Sequence, residues 1–158
     1  MAQLRKRSRK PTSRQVRTPE RVRHTLGRAD ILRGRNNFQL VFKQGRKFEG
    51  TYLRCLFLAD ERLKFRGGAR KAVGFTAPGA LKRAVDRNRL KRLAREAYRL
   101  NKEIILPRMQ SSPRPLALIF VYSTKVAHSP RFPTFSEIEQ DMKKILQSVA
   151  QARLEGDK

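Results

Sequence analysis

Apolar residues recur along this chain with two different periods. Between Lys82 and Arg99 (KRAVDRNRLKRLAREAYR) there is no Gly or Pro. Leu90, Leu93, Ala94, Ala97 and Leu100 return there at i, i+3, i+4, i+7 and i+10, which predicts one amphipathic helix running to about Asn101. Phe38, Val41 and Phe42 repeat the spacing over a shorter stretch, with Asn37 as the expected N-cap and Gly45 just past the C-terminus. Ile138, Met142, Ile145, Leu146 and Val149 predict a last helix to about Leu154, opened by a capping box of Ser136 and Glu139.

The other period is two. In TYLRCLFLA (51–59) Leu53, Cys55 and Phe57 alternate with Tyr52, Arg54, Leu56 and Leu58, the pattern of a strand with one apolar and one mixed face. KAVGFTA (71–77) reads as a second strand, ended by Pro78-Gly79. LALIFVY (116–122) is continuously apolar, as expected of a strand covered on both faces. The segments 60–70, RMQSSPRP and STKVAHSPRFPTF read as loops, and Pro107 as a stop to the basic helix. The predicted order is α-β-β-α-β-α. That is an α+β domain, a small sheet with helices packed on it.

At 158 residues the chain has the length of one domain, placed at 25–155. Residues 1–24 carry nine Lys/Arg, one acid and almost no large apolar group, so they are expected to form a disordered basic arm. With 38 Lys+Arg against 13 Asp+Glu the net charge is +25. Self-repulsion on that scale calls for a polyanion, nucleic acid before an anionic membrane. No stretch approaches the roughly 18 to 20 apolar residues of a membrane span, and no secretory signal is visible, so a cytoplasmic location is expected. The single cysteine, Cys55, excludes an internal disulfide and reads as a buried small hydrophobe. One Cys and two dispersed histidines, His24 and His128, make no usual metal site, and no paired carboxylates or phosphate loop are evident. The protein's own side chains are poor candidates for a chemical step. No organic cofactor and no obligate protein partner are expected.

The opposite face of the basic helix carries Arg87, Asn88, Lys91, Arg92, Arg95 and Arg99, with Lys82, Arg83 and Arg89 beside them. Glu96 can relieve Arg92 or Arg99, but most of these cations have no local partner. Like charges at this spacing repel, so an external anion suits the face better than water alone. Phe38 and Phe42 are either core residues or a base-stacking surface, and Arg54 either a solvent-facing position or a cation on an open sheet face.

With these residues in view, the chain resembles the protein subunit of bacterial ribonuclease P. Ala84-Val85-Asp86-Arg87-Asn88-Arg89-Leu90-Lys91-Arg92, followed by Arg95-Glu96 and Arg99, is similar to that family's Arg-Asn-Arg signature. Asn-Phe-Gln-Leu-Val-Phe-Lys-Gln-Gly (37–45) resembles its first helix and closing Gly. The likeness spans roughly residues 30–152. It implies a non-catalytic subunit of an endoribonuclease holoenzyme whose catalytic RNA, using Mg²⁺ held mainly by the RNA, trims the 5′ leader of precursor tRNA. By position it implies that Arg87, Asn88, Arg89, Arg92, Arg95 and Arg99, with Lys82 and Arg83, face the catalytic RNA. It also implies that Phe38, Phe42, Arg54 and Leu56 line a leader cleft with Lys91 near its edge, and that the βαβ crossover is left-handed. The loop before Ala84 departs from the family, having Gly79-Ala80 and then Lys82 in place of a Lys pair followed by Gly. The alternatives from the residues alone are a structural ribosomal-type RNA-binding protein without a leader cleft, a DNA-binding module and, last, a stand-alone nuclease.

Overall fold

The computed structural model describes residues 25–152. Its elements are α1 (Arg35–Gln44), β1 (Arg46–Glu49), β2 (Leu53–Ala59), β3 (Lys71–Thr76), α2 (Ala84–Asn101), α3 (Leu106–Ser111), β4 (Leu116–Tyr122), α4 (Thr124–His128) and α5 (Phe135–Gln151). The strands form one mixed sheet in the order β1-β2-β4-β3. β1–β2 and β2–β4 pair antiparallel, while β3–β4 is parallel and therefore needs the long crossover that α2 occupies. This is the expected α+β architecture, enlarged by an edge strand and two short helices.

The alternation in β2 divides two apolar clusters. Leu53, Cys55 and Phe57 join Leu116, Leu118, Phe120 and Tyr122 of β4 against Leu90, Ala94 and Ala97 of α2 and Ile138, Met142 and Leu146 of α5. On the other face Leu56, Ala117 and Ile119 meet Val41 of α1 and Leu63 of the loop after β2. β4 feeds both clusters, which is why its sequence lacks a polar period. The sheet thus carries α2 and α5 on one side and only α1 with a loop on the other.

Several boundaries differ from the sequence reading, each for a local reason. α1 begins at Arg35 with Gly34 as N-cap at φ 94°, so Asn37 lies inside the helix. Its buried amide donates to the carbonyls of Arg33 and Lys64, both at 2.8 Å, a tertiary tie in place of a cap. Gly45 does follow α1, but at φ −65°. Glycine is needed there because a Cβ would stand 2.4 Å from the Val41 carbonyl oxygen. β2 starts at Leu53 because the N–H groups of Thr51, Tyr52 and Leu53 donate to Asp141 of α5 at 2.7–2.8 Å. The capping box of α5 is Thr134 with Glu137, two residues upstream of Ser136 and Glu139. Pro107 opens α3 within its first turn, where its missing N–H costs nothing, so RMQSSPRP is part helix. Thr124–His128 is likewise helical, with the Ser123 hydroxyl accepting from the Lys125 N–H. The arm at 1–24 and the end of the last helix at Leu154 fall outside the described residues.

Candidate nucleic-acid interface

α2 is held to the domain by a stripe different in part from the expected one. Leu90, Ala94, Ala97, Tyr98 and Asn101 are buried, Leu93 is half-buried, and Leu100 is exposed. Tyr98 replaces Leu100 by packing edge-on to Phe75 and against Phe120. The Tyr122 hydroxyl donates to the Leu90 carbonyl at 2.6 Å, and the Asn101 amide reaches Glu139 of α5 at 3.2 Å. These contacts set the rotation of the helix about its axis. Lys82, Arg83, Asn88, Arg89, Arg92 and Arg95 are exposed as a consequence, and Arg87, Lys91 and Arg99 half-exposed.

Two of these cations are engaged within the chain. Arg99 pairs with Glu96, its Nε donating at 2.9 Å, and that guanidinium holds the Glu96 carboxyl below the usual range. Arg87 turns back to donate to the carbonyls of Leu81 and Lys82, fastening the loop that precedes the helix. The side chains of Lys82, Arg83, Arg89, Lys91, Arg92 and Arg95 have no hydrogen-bond or ion-pair partner among the described residues. A rigid rod presenting this much unneutralised charge is matched to a polyanion.

The second region lies on the α1 side of the sheet. Pairing places Glu49, Arg54, Val121 and Thr76 in one cross-strand row, and Lys47, Leu56, Ile119 and Gly74 in the next. α1 covers the second row, and the loop with Leu63 and Phe65 packs over the Leu58 and Ala117 end. Asn37 and Gln44 bond to Lys64 and Arg62 of that loop. Phe38 and Phe42 sit about 100° and 140° further round the helix from Asn37. Phe38 rests on Gly74, where a Cβ would meet its ring at 3.0 Å. Phe42 is 47% exposed, so it is not a core residue.

The expected cleft residues are therefore only partly gathered. Arg54 stands in the uncovered row with Val121 and Thr76, Phe38 touches the next row at Gly74, and Phe42 is exposed on the same helix. Leu56 is 3% exposed and supports the floor from beneath α1. Lys91 belongs to α2 and so to the opposite face of the sheet. Arg54 pairs with Glu49 at 3.1 Å, both largely exposed. Val121 and Thr76 had no signal in the sequence, because only strand register brings them beside Arg54.

Chemistry within the described residues is sparse. Burial pushes the Cys55 thiol and the Tyr98 and Tyr122 hydroxyls up, keeping all three protonated. Among these residues no group of three or more His, Cys, Asp or Glu stands close enough to hold a metal ion. Among the described residues no helix is long and apolar enough to cross a membrane.

Fold and surfaces together define a class: a small, strongly basic α+β protein with one cation-bearing helix and one partly uncovered sheet face. The family model for ribonuclease P matches residues 26–150, and the chain belongs to that family. It is 32% identical over 145 residues to the ribonuclease P protein component of Chlorobaculum tepidum, covering 88% of this chain and 94% of that protein. The Porphyromonas gingivalis component is 32% identical over 126 residues, 79% of this chain and 86% of that one. The solved ribonuclease P protein of Thermotoga maritima superposes with a TM-score of 0.56 at 25% identity, over 74% of this chain and 94% of that chain. The Staphylococcus aureus protein shares the fold at TM-score 0.55 and 18% identity, over 78% and 96%.

Proposed function

We propose that this chain is the non-catalytic subunit of a ribonuclease P holoenzyme in the cytoplasm, supporting 5′ maturation of tRNA. α2 docks on the catalytic RNA through Lys82, Arg83, Asn88, Arg89, Arg92 and Arg95. Arg87 and Arg99 flank that surface. The 5′ leader of precursor tRNA lies on the uncovered sheet row against Phe38 and Phe42, with Arg54 able to exchange Glu49 for a phosphate. The observation that carries the reading is the unpaired cationic face of α2, fixed by a buried stripe on its opposite side. A rod of this kind suits structured RNA, which is read largely through backbone and shape. Aromatic surfaces with scattered cations suit a single strand of variable sequence. Holding both RNAs raises the local concentration of substrate at the catalyst. Mg²⁺ would be held by RNA phosphates and would supply the cleavage chemistry. The protein's part is to bind, to orient and to offset phosphate charge.

The test is precursor cleavage by the catalytic RNA at low Mg²⁺ with the full chain added. The native protein is expected to restore cleavage, and Arg92→Gln with Arg95→Gln to raise the protein concentration needed. Phe42→Ala should weaken binding of leader-bearing precursor far more than that of mature tRNA. A chain that supports no cleavage, or a Phe42→Ala loss equal for both RNAs, would overturn the reading in favour of a structural RNA-binding protein.

A further inference from the structure

A further cavity outside these two surfaces lies at the N-terminal end of α1. It is a basin of about 1020 Å³ between the segment leading into α1 and the loop after β2. Its walls carry Arg28, Arg33, Arg35, Arg62, Lys64 and Arg66, and no carboxylate lines it. Arg62 is engaged by Asp60 at 2.7 Å and by Gln44. The other five cations have no side-chain partner among the described residues.

The two walls are tied together. The buried Asn37 amide bridges Arg33 on one wall to Lys64 on the other and accepts from the Lys64 N–H at 3.3 Å. Leu32 joins the first wall to the sheet through its N–H to the Val73 carbonyl at 2.8 Å. Five like charges are thus held around a preformed hollow, an arrangement that repels itself until an anion enters. Its volume reaches the upper end of ordinary ligand pockets, too large for one ion and suited to a length of polymer. Phe65, half-buried on the loop wall, adds an aromatic surface within the basin.

We infer that this basin is a second phosphate-binding surface, and that its occupant is the distal part of the same leader strand. The inference rests on the leader reading above. α1 supplies the continuity: Phe38 rests on the sheet at Gly74, Phe42 stands exposed one turn on, and Arg35 at the N-terminal end of the same helix lines the basin. The step from Phe42 to Arg35 along the axis is about 10 Å. A single strand leaving the row past Phe38 meets the basin at Gly34 and Arg35. The cations of α2 serve a different RNA from the other face of the sheet.

The experiment uses the full chain assembled with the catalytic RNA, and exposed substitutions Arg35→Gln and Arg66→Gln made together. Affinity is measured for mature tRNA, for a precursor whose leader ends beside Phe38, and for one whose leader is several nucleotides longer. The long-leader precursor should bind about five- to tenfold more weakly, and its log–log salt slope should fall by about 1.4 for two lost single-strand phosphate contacts. The other two RNAs should be unaffected. An equal loss for all three, or weaker assembly with the catalytic RNA, would assign the basin to that RNA and overturn the inference, as would no change anywhere. Phe42→Ala measured in parallel separates the two readings. If the basin alone fails, Phe42→Ala still weakens both leader-bearing precursors. If the leader row fails, Phe42→Ala leaves them unchanged whatever the basin does.

Discussion

The two faces of the sheet are closed by different means. On one, α2 and α5, of 18 and 17 residues, bury a continuous layer that runs from Leu53 to Tyr122. On the other, a ten-residue helix and a loop cover two of the cross-strand rows and leave Arg54 exposed and Val121 and Thr76 half-buried. The closed face spends its polar groups on itself. Asp141 satisfies three backbone N–H groups, Tyr122 reaches Leu90, and Asn101 reaches Glu139. The open face, with the basin at the end of α1, leaves most of its cations unanswered. Internal polar ties are concentrated on one side of the sheet, and unpaired cations stand on the other and along the outer face of α2. α2 does both, because its buried stripe and its cationic face are opposite sides of one rod.

The strongest way to break this division is Asp141→Ala. Asp141 is 4% exposed, and its carboxylate accepts from the N–H groups of Thr51, Tyr52 and Leu53. Removing it leaves three donors unpaired in a partly buried turn and should cost about 3 kcal/mol or more. Gly50 belongs to the same device, since a Cβ there would stand 2.3 Å from the Asp141 Oδ1 atom. The folded fraction should retain its RNA affinity, measured below the denaturation midpoint. A variant as stable as the native chain would show that the turn does not depend on α5.

Phe42→Ala tests the same division from the open face. Truncating a buried phenylalanine typically costs about 3 to 5 kcal/mol, but Phe42 keeps 47% of its surface in water. The expected loss is about 1 kcal/mol in urea unfolding, with the much larger effect falling on leader binding. A loss of core size would return Phe42 to the core of α1 and remove it from the leader surface.

How far the chain announced this arrangement depends on the kind of interaction. The strand β2, the twice-covered β4 and the cationic rod follow from periodicity, because burial on one face or two leaves a direct mark on residue order. The Arg-Asn-Arg signature pointed to the family and, through it, to α2 and the Phe38/Phe42 flank. β1 was not foreseen: Arg46-Lys47-Phe48-Glu49 is a polar edge strand, recognised only through its pairing with β2. Asp141 gave no sign of its role, since its partners lie about ninety positions away. Val121 and Thr76 join Arg54 through register alone. The basin collects cations from two segments about thirty residues apart, and neither stands out from the general basicity of the chain.

The smallest effect expected concerns the latch that starts α5. The Arg131 guanidinium, and after it the Thr134 N–H, hold the Glu137 carboxyl down at about 2. Its carboxylate accepts from the Thr134 N–H at 2.7 Å and from Arg131 at 2.9 Å. Because the folded value lies below the ordinary one near 4.5, the contribution is fully present above about pH 4.5 and is lost as pH falls toward 2. The group is exposed, so salt should weaken the effect. Comparing melting temperatures of the native chain and Glu137→Gln cancels the charge repulsion common to both at low pH. The native advantage should be steady from pH 7 to about 5, shrink through the acid range and narrow further in salt. An advantage independent of pH would mean that the amide and the carboxylate cap α5 differently by shape alone, and that Arg131 contributes nothing to closing that face.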